Sequence, residues 1–127
     1  MNTPQILTIS DAISVTKENR TKVDYYLFDE YEIHLNSIPS GAVQEWHYHS
    51  RIEETILVTG GTLTLSWKEK NVEYTKDIHP GELVRVGKSL HTFSNNSDTD
   101  TAFIVFRFVP DGTDKRDLFL TDKKIVL

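Results

Sequence analysis

Short runs rich in valine, isoleucine, threonine and aromatic residues recur along this chain between turn signals, and no stretch carries the apolar periodicity of a long helix. The pattern is that of an all-β barrel or sandwich. Predicted strands are 5–9, 23–28, 31–37, 42–49, 54–59, 62–68, 72–76, 82–86, 91–95 and 101–109. Between them, Ile38-Pro39-Ser40-Gly41 and His79-Pro80-Gly81-Glu82 place proline and then glycine as type I or II turns require. Gly60-Gly61 and Lys70-Asn71 suit hairpins. The polar segment 111–117 reads as a loop, and the apolar Ile125-Val126-Leu127 as an edge strand packing back on the core.

Within that frame the chemistry concentrates in one segment. His47 and His49 are two apart, which on a strand puts both imidazoles on one face, about 7 Å apart along the chain. Glu54 adds an oxygen ligand from the next strand, and His91 closes the set if a sheet folds back over the first pair. Three imidazoles and a carboxylate suit one divalent first-row transition metal, with positions left for water or substrate. Fe, Mn, Ni, Zn and Cu are not distinguished. Strict alternation places Val43 and Glu45 on the ligand face with His47 and His49, and Gln44, Trp46 and Tyr48 on the other. Glu45 is therefore the candidate for moving a proton, either directly or by bonding an imidazole. Arg85 and Arg107 are candidates to grip an anionic substrate if they face inward. His34 falls either in the pocket or outside it. His79 reads as a turn residue, and Asn95 as a turn-closing one.

Composition narrows the function further. With 127 residues the chain fits one domain, residues 1–127, with a core over roughly 25–110. There is no cysteine, so thiolate metal sites, disulfides and cysteine nucleophiles are excluded, and a metal must be held by histidine and carboxylate. The net charge is -5 and the lysines and arginines are scattered, which argues against nucleic acid and anionic membranes as partners. The N-terminus lacks the basic start and apolar run of a secretory signal, so a cytoplasmic location is the expectation. Trp46 and Tyr48, large aromatics on the face away from the ligands, predict cover by another segment or a homodimer interface.

The motif as a whole resembles the first signature of the cupin superfamily, with Gly41, His47, His49, Glu54 and Gly61 at the matching positions. Glu53 with Gly60 satisfies a looser version of the same pattern; Glu54 is preferred. The second signature is similar at Gly81, His91 and Asn95 but departs in the middle, where Gly87-Lys88-Ser89-Leu90 replaces a proline-glycine turn and is one residue shorter. The resemblance implies a single antiparallel cupin-type β-barrel, or jelly roll. It also implies a metal-dependent enzyme acting on a small polar molecule, by dioxygenase-like oxidation or by Lewis-acid isomerase, decarboxylase or lyase chemistry. Two alternatives stay open: a non-catalytic metal- or ligand-binding module, and a metal-free sugar-nucleotide epimerase.

Overall fold

The computed structural model describes residues 1–126. Nine strands are described: β1 (Ile13–Thr16), β2 (Lys22–Leu27), β3 (Tyr31–Ile38), β4 (Glu53–Gly60), β5 (Leu63–Glu69), β6 (Val72–Ile78), β7 (Leu83–Arg85), β8 (Leu90–Ser94) and β9 (Thr101–Phe108). They form two antiparallel sheets, one in the order β1-β2-β3-β9-β4-β7 and one in the order β6-β5-β8. The all-β jelly-roll expectation holds. One helix, α1 (Arg116–Thr121), follows the last strand, and no helix among the described residues is long and apolar enough to cross a membrane.

Burial alternates along the central strands, and their register stacks the inward side chains into rungs. Ile38 lies opposite Thr101; Asn36 opposite Phe103, which faces Val58; His34 opposite Val105, which faces Ile56; and Glu32 opposite Arg107, which faces Glu54. The interior therefore runs from apolar at one end to charged at the other. At the apolar end Ile38, Val58 and Phe103 meet Leu63, Ile78 and Phe93 of the smaller sheet in one core. Full burial of such side chains is worth roughly 1.5–3 kcal/mol each. The charged end is where the site forms.

Residues 39–52 leave β3 and cross to the edge of the smaller sheet, where Val43 bridges Ser94 and His47 bridges His91. The predicted strand 42–49 is not regular. Asn95 N–H donates to the Ala42 carbonyl, Gln44 N–H to Phe93, and His47 and His91 exchange both backbone bonds. One residue of β8, Thr92, thus opposes two, Glu45 and Trp46, between Gln44 and His47, a bulge with one extra residue. The extra residue breaks the alternation. Ala42 is buried and Gln44 turns inward, whereas Val43, expected on the ligand face, is 57% exposed. Trp46 and Tyr48 turn outward as expected; Lys68 Nζ sits 4.4 Å above the Trp46 ring.

Other expectations are corrected at the ends of the chain. Residues 5–9 form no strand; Ile9–Asp11 is a short 3-10 turn in which Asp11 caps the Thr8 N–H. β1, unforeseen, is short and exposed throughout, and pairs only with β2. Helix α1 starts inside the predicted loop. Ile125 and Val126 are exposed and unpaired rather than an edge strand, and Leu127 lies outside the described residues. Gly61 is required by both backbone and space: its φ is +72°, and a Cβ there would lie 2.7 Å from the Asp100 carbonyl.

Candidate metal centre

The chain crossing brings His47 and His49 against His91 of β8, because the His47–His91 backbone bridge aligns the two segments. Ring centroids lie 4.5 Å apart for His47 and His91, 5.4 Å for His47 and His49, and 6.2 Å for His49 and His91. One ligand nitrogen from each lies within 4.8 Å of the others. Their tautomers are set locally. His47 Nδ1 donates to the Glu45 carbonyl and His91 Nδ1 to the Ser89 carbonyl, each at 2.9 Å, and a carbonyl can only accept. Each ring therefore keeps its Nε2 lone pair free. His91 Nε2 and His49 Nε2 are buried and make no hydrogen bond among the described residues, although a Glu54 carboxylate oxygen stands 3.3 Å from His49 Nε2. Two orphaned buried nitrogens beside a third free imidazole are the donor set a divalent transition metal takes, so the residues fit such an ion.

Glu54 stands beside this cluster without joining its mutual 4.8 Å group. Its Oε2 lies 3.3 Å from His49 Nε2 and 3.1 Å from Arg107 Nε. Arg107 also reaches Glu32, at 3.5 Å, and Glu32 accepts from His34 Nε2 at 2.9 Å. A continuous polar chain thus runs from His49 through Glu54, Arg107 and Glu32 to His34. His34 is 6% exposed and packs edge-on against Tyr25, so it belongs to the interior. Glu53, the alternative carboxylate, points out of the barrel and pairs with Arg85. Arg85 is thereby an outward-facing residue, and of the two candidate arginines only Arg107 lines the cavity.

The cavity in front of the imidazoles has a volume of about 250 Å³, with Phe93, Phe103, Ile56 and Val105 on its apolar wall. Glu45 is at its mouth, exposed, and both its oxygens accept from Asn19 Nδ2, at 3.1 and 3.2 Å. The turn between β1 and β2, which carries Lys17 and Asn19, thus leans over the opening. Sequence reasoning missed Lys17, Asn19, Gln44, Tyr25 and Asn36 as cavity residues. The polar turn Lys17-Glu18-Asn19-Arg20 was the available signal for the first two, had β1 been recognised. His79 is a turn residue bonded to Glu82. Asn95 is fully buried and bonds only the backbone and Ser97 around it.

Burial lowers the pKa of His34, His49 and His91 below the usual histidine value; Glu54 opposes the effect at His49, as Glu32 does at His34 and the Ser89 carbonyl at His91. The neutral rings are those a metal needs. Because the unfolded chain takes up protons at these positions before the folded one does, their contribution to stability is complete above about pH 6.5 and is lost as the pH falls through the depressed native values. Metal-free protein is therefore expected to hold a constant Tm between about pH 8 and pH 7 and to lose it progressively below about pH 6.5. An unchanged Tm down to about pH 5, measured in chelator by circular dichroism, would show that these rings are not buried as described.

Two antiparallel sheets enclosing a small cavity, with three converging imidazoles at its charged end, define a class of small β-barrel with a candidate metal site. The sequence matches the Cupin_2 family, a cupin domain, over residues 34–107, and the chain belongs to that family. No curated protein matches it. Among solved structures, it superposes on the Cupin_2 domain of an XRE family transcriptional regulator from Enterobacter cloacae with a TM-score of 0.59 and 21% identity, covering 71% of this chain and 97% of that one. A sugar phosphate isomerase from a cupin superfamily, from Silicibacter pomeroyi, gives a TM-score of 0.63 and 19% identity, covering 84% and 76%. A mutant of Bacillus subtilis oxalate decarboxylase gives 0.66 and 18%, covering 84% of this chain and 30% of that one. The chain spans roughly half or less of the length of several proteins it superposes on.

Proposed function

We propose that this chain is a metal-dependent cupin enzyme acting on a small polar molecule. The observation that carries the reading is the convergence of His47, His49 and His91, with the Nε2 atoms of His49 and His91 buried and unpartnered. Those three residues would hold a divalent ion, with Glu54 as the fourth ligand after a small shift of its carboxylate from Arg107. When bound, such an ion polarises a substrate oxygen or, if redox-active, exchanges electrons with the substrate.

The chain's own groups supply the rest. Arg107 holds Glu54 in place and offsets its charge. The apolar wall excludes water from one side of the cavity and strengthens the electrostatics of the other. Glu45, at the mouth and tied to Asn19, is placed to exchange protons with solvent. His34 is the buried counterpart: Glu32 accepts its Nε2 proton, which leaves Nδ1 as the ring's basic atom. A metal-free sugar-nucleotide epimerase is disfavoured, since three converging imidazoles without an ion leave buried nitrogens unpaired for no gain.

The test is metal content and oxygen uptake. Purified protein is expected to retain close to one divalent ion per chain by elemental analysis. Oxygen consumption over a panel of diketones, catechols and thiols then separates oxidation from redox-silent chemistry. Absence of a stoichiometric ion after incubation with each candidate metal would overturn the reading. Full metal occupancy with no turnover on any tested substrate class would favour the binding-module alternative.

A further inference from the structure

Four buried side-chain nitrogens in this chain lack a hydrogen-bond partner among the described residues: Asn36 Nδ2, His49 Nε2, His91 Nε2 and Arg107 Nε. The two imidazoles belong to the metal centre, and Arg107 Nε sits 3.1 Å from a carboxylate oxygen of Glu54. Asn36 has no such account. It lies on β3 opposite Val23 of β2 and Phe103 of β9, and Phe103 faces Val58 of β4. All three neighbours are at most 3% exposed. A carboxamide thus interrupts an otherwise apolar rung, is itself 8% exposed, and lines the cavity that holds the imidazoles. A buried donor left without a hydrogen bond is destabilising, and a valine there would carry no such cost. Local rules broken in this way, next to a site, point to a ligand.

The cavity's charge and size say which ligand. Lys17 and Arg107 face the lining carboxylates Glu45 and Glu54, with Glu32 behind Arg107. A divalent ion on the three imidazoles therefore leaves a positive balance of one. A volume of about 250 Å³ is below the roughly 300–1,000 Å³ of sites for drug-sized ligands, so the ligand is a small one.

We propose that Asn36 is a specificity-determining residue whose Nδ2 donates a hydrogen bond to an oxygen of a small carboxylate-bearing ligand lodged between β3 and the three-imidazole centre. The proposal rests on the metal-dependent reading above. It assigns the far end of the ligand, away from the ion, to a residue on the opposite sheet. Uncharged molecules of the same size lack both the charge match and the stronger, charge-assisted bond.

The experiment compares wild type with Asn36→Val and Asn36→Asp. Metal content is measured first, and Tm is measured on metal-free protein. Metal-loaded protein is then titrated calorimetrically with lactate, acetate and succinate, with propane-1,2-diol and lactamide as uncharged controls. Expected results are one ion per chain in all three proteins and binding of at least one carboxylate, but neither control, to wild type. Asn36→Val is expected to weaken that binding by about tenfold or more, and Asn36→Asp to weaken it further through charge repulsion. In metal-free protein Asn36→Val is expected to raise Tm, the opposite of what removing a satisfied structural amide does. A lowered Tm, or carboxylate affinity unchanged by Asn36→Val, overturns the proposal and leaves the metal centre standing. So does metal-loaded wild type that binds the uncharged controls as well as the carboxylates, or binds none. Failure of wild type to take up metal overturns the reading beneath it as well, and the metal measurement identifies that case separately.

Discussion

Replacing His49 with alanine is expected to abolish metal retention while leaving the barrel folded. His49 lies on the irregular crossing segment rather than in a regular strand, its side chain is 18% exposed, and its Nε2 makes no hydrogen bond that the fold depends on. Glu54 would remain paired with Arg107 after the substitution. The loss falls on the ion, because the site keeps only two of its three imidazoles while Glu54 is held by Arg107. Removal of an outer hydrogen-bonding partner already weakens metal affinity by roughly 10–100-fold, and removal of a direct ligand is expected to exceed that. Elemental analysis of dialysed protein, with circular dichroism as the folding control, gives the answer. A full complement of metal in the variant would mean that the ligand assignment is wrong.

The second large effect is on stability. Asn95 is completely buried at the junction of three segments: its Nδ2 donates to the carbonyls of Ile38 (2.9 Å) and Thr99 (2.7 Å), and its Oδ1 accepts from the N–H and hydroxyl of Ser97 (3.0 and 2.6 Å). Its backbone bonds Ala42 and Gly41. The side chain thus ties the end of β3 to the loop before β9, at the point where the chain turns toward the imidazoles. Asn95→Ala removes the side-chain donors to the Ile38 and Thr99 carbonyls and frees the loop around Ser97. At roughly 1–3 kcal/mol for each buried group left unmade, a destabilisation of about 3 kcal/mol is expected. For a chain of this size that is a fall in Tm of roughly 10 °C. A change of less than about 2 °C would mean that water replaces the amide without loss.

Much of this site was legible before any coordinates. His47, His49 and His91 converge, and of the two neighbouring carboxylates Glu53 turns outward to Arg85 while Glu54 lies beside His49. Glu54 nevertheless sits beside the cluster with Arg107 rather than within it. The orientation of β3 was not legible. Its two faces carry Ile33 and Leu35 on one side and Glu32, His34 and Asn36 on the other, so hydrophobicity argues for the wrong face. Pairing with β9 turns His34 and Asn36 inward instead, and both are buried.

The crossing segment gives the sharpest contrast. Strict alternation from His47 back to Val43 is a local rule, and it fails because one extra residue opposes β8 between Gln44 and His47. Nothing in residues 42–49 announces that bulge; it exists only in relation to the partner strand. Glu45 is consequently carried to the mouth, and Gln44 takes a place in the wall.

Residue type and near spacing were enough to indicate an antiparallel β fold and to single out three imidazoles that converge, because strand periodicity and donor chemistry are properties of a few adjacent side chains. Which face of β3 looks inward, where the bulge falls, and that Asn36 is left without a partner all follow from strand pairing between distant segments. Such pairing is a collective outcome of packing, and no local stretch of chain contains it.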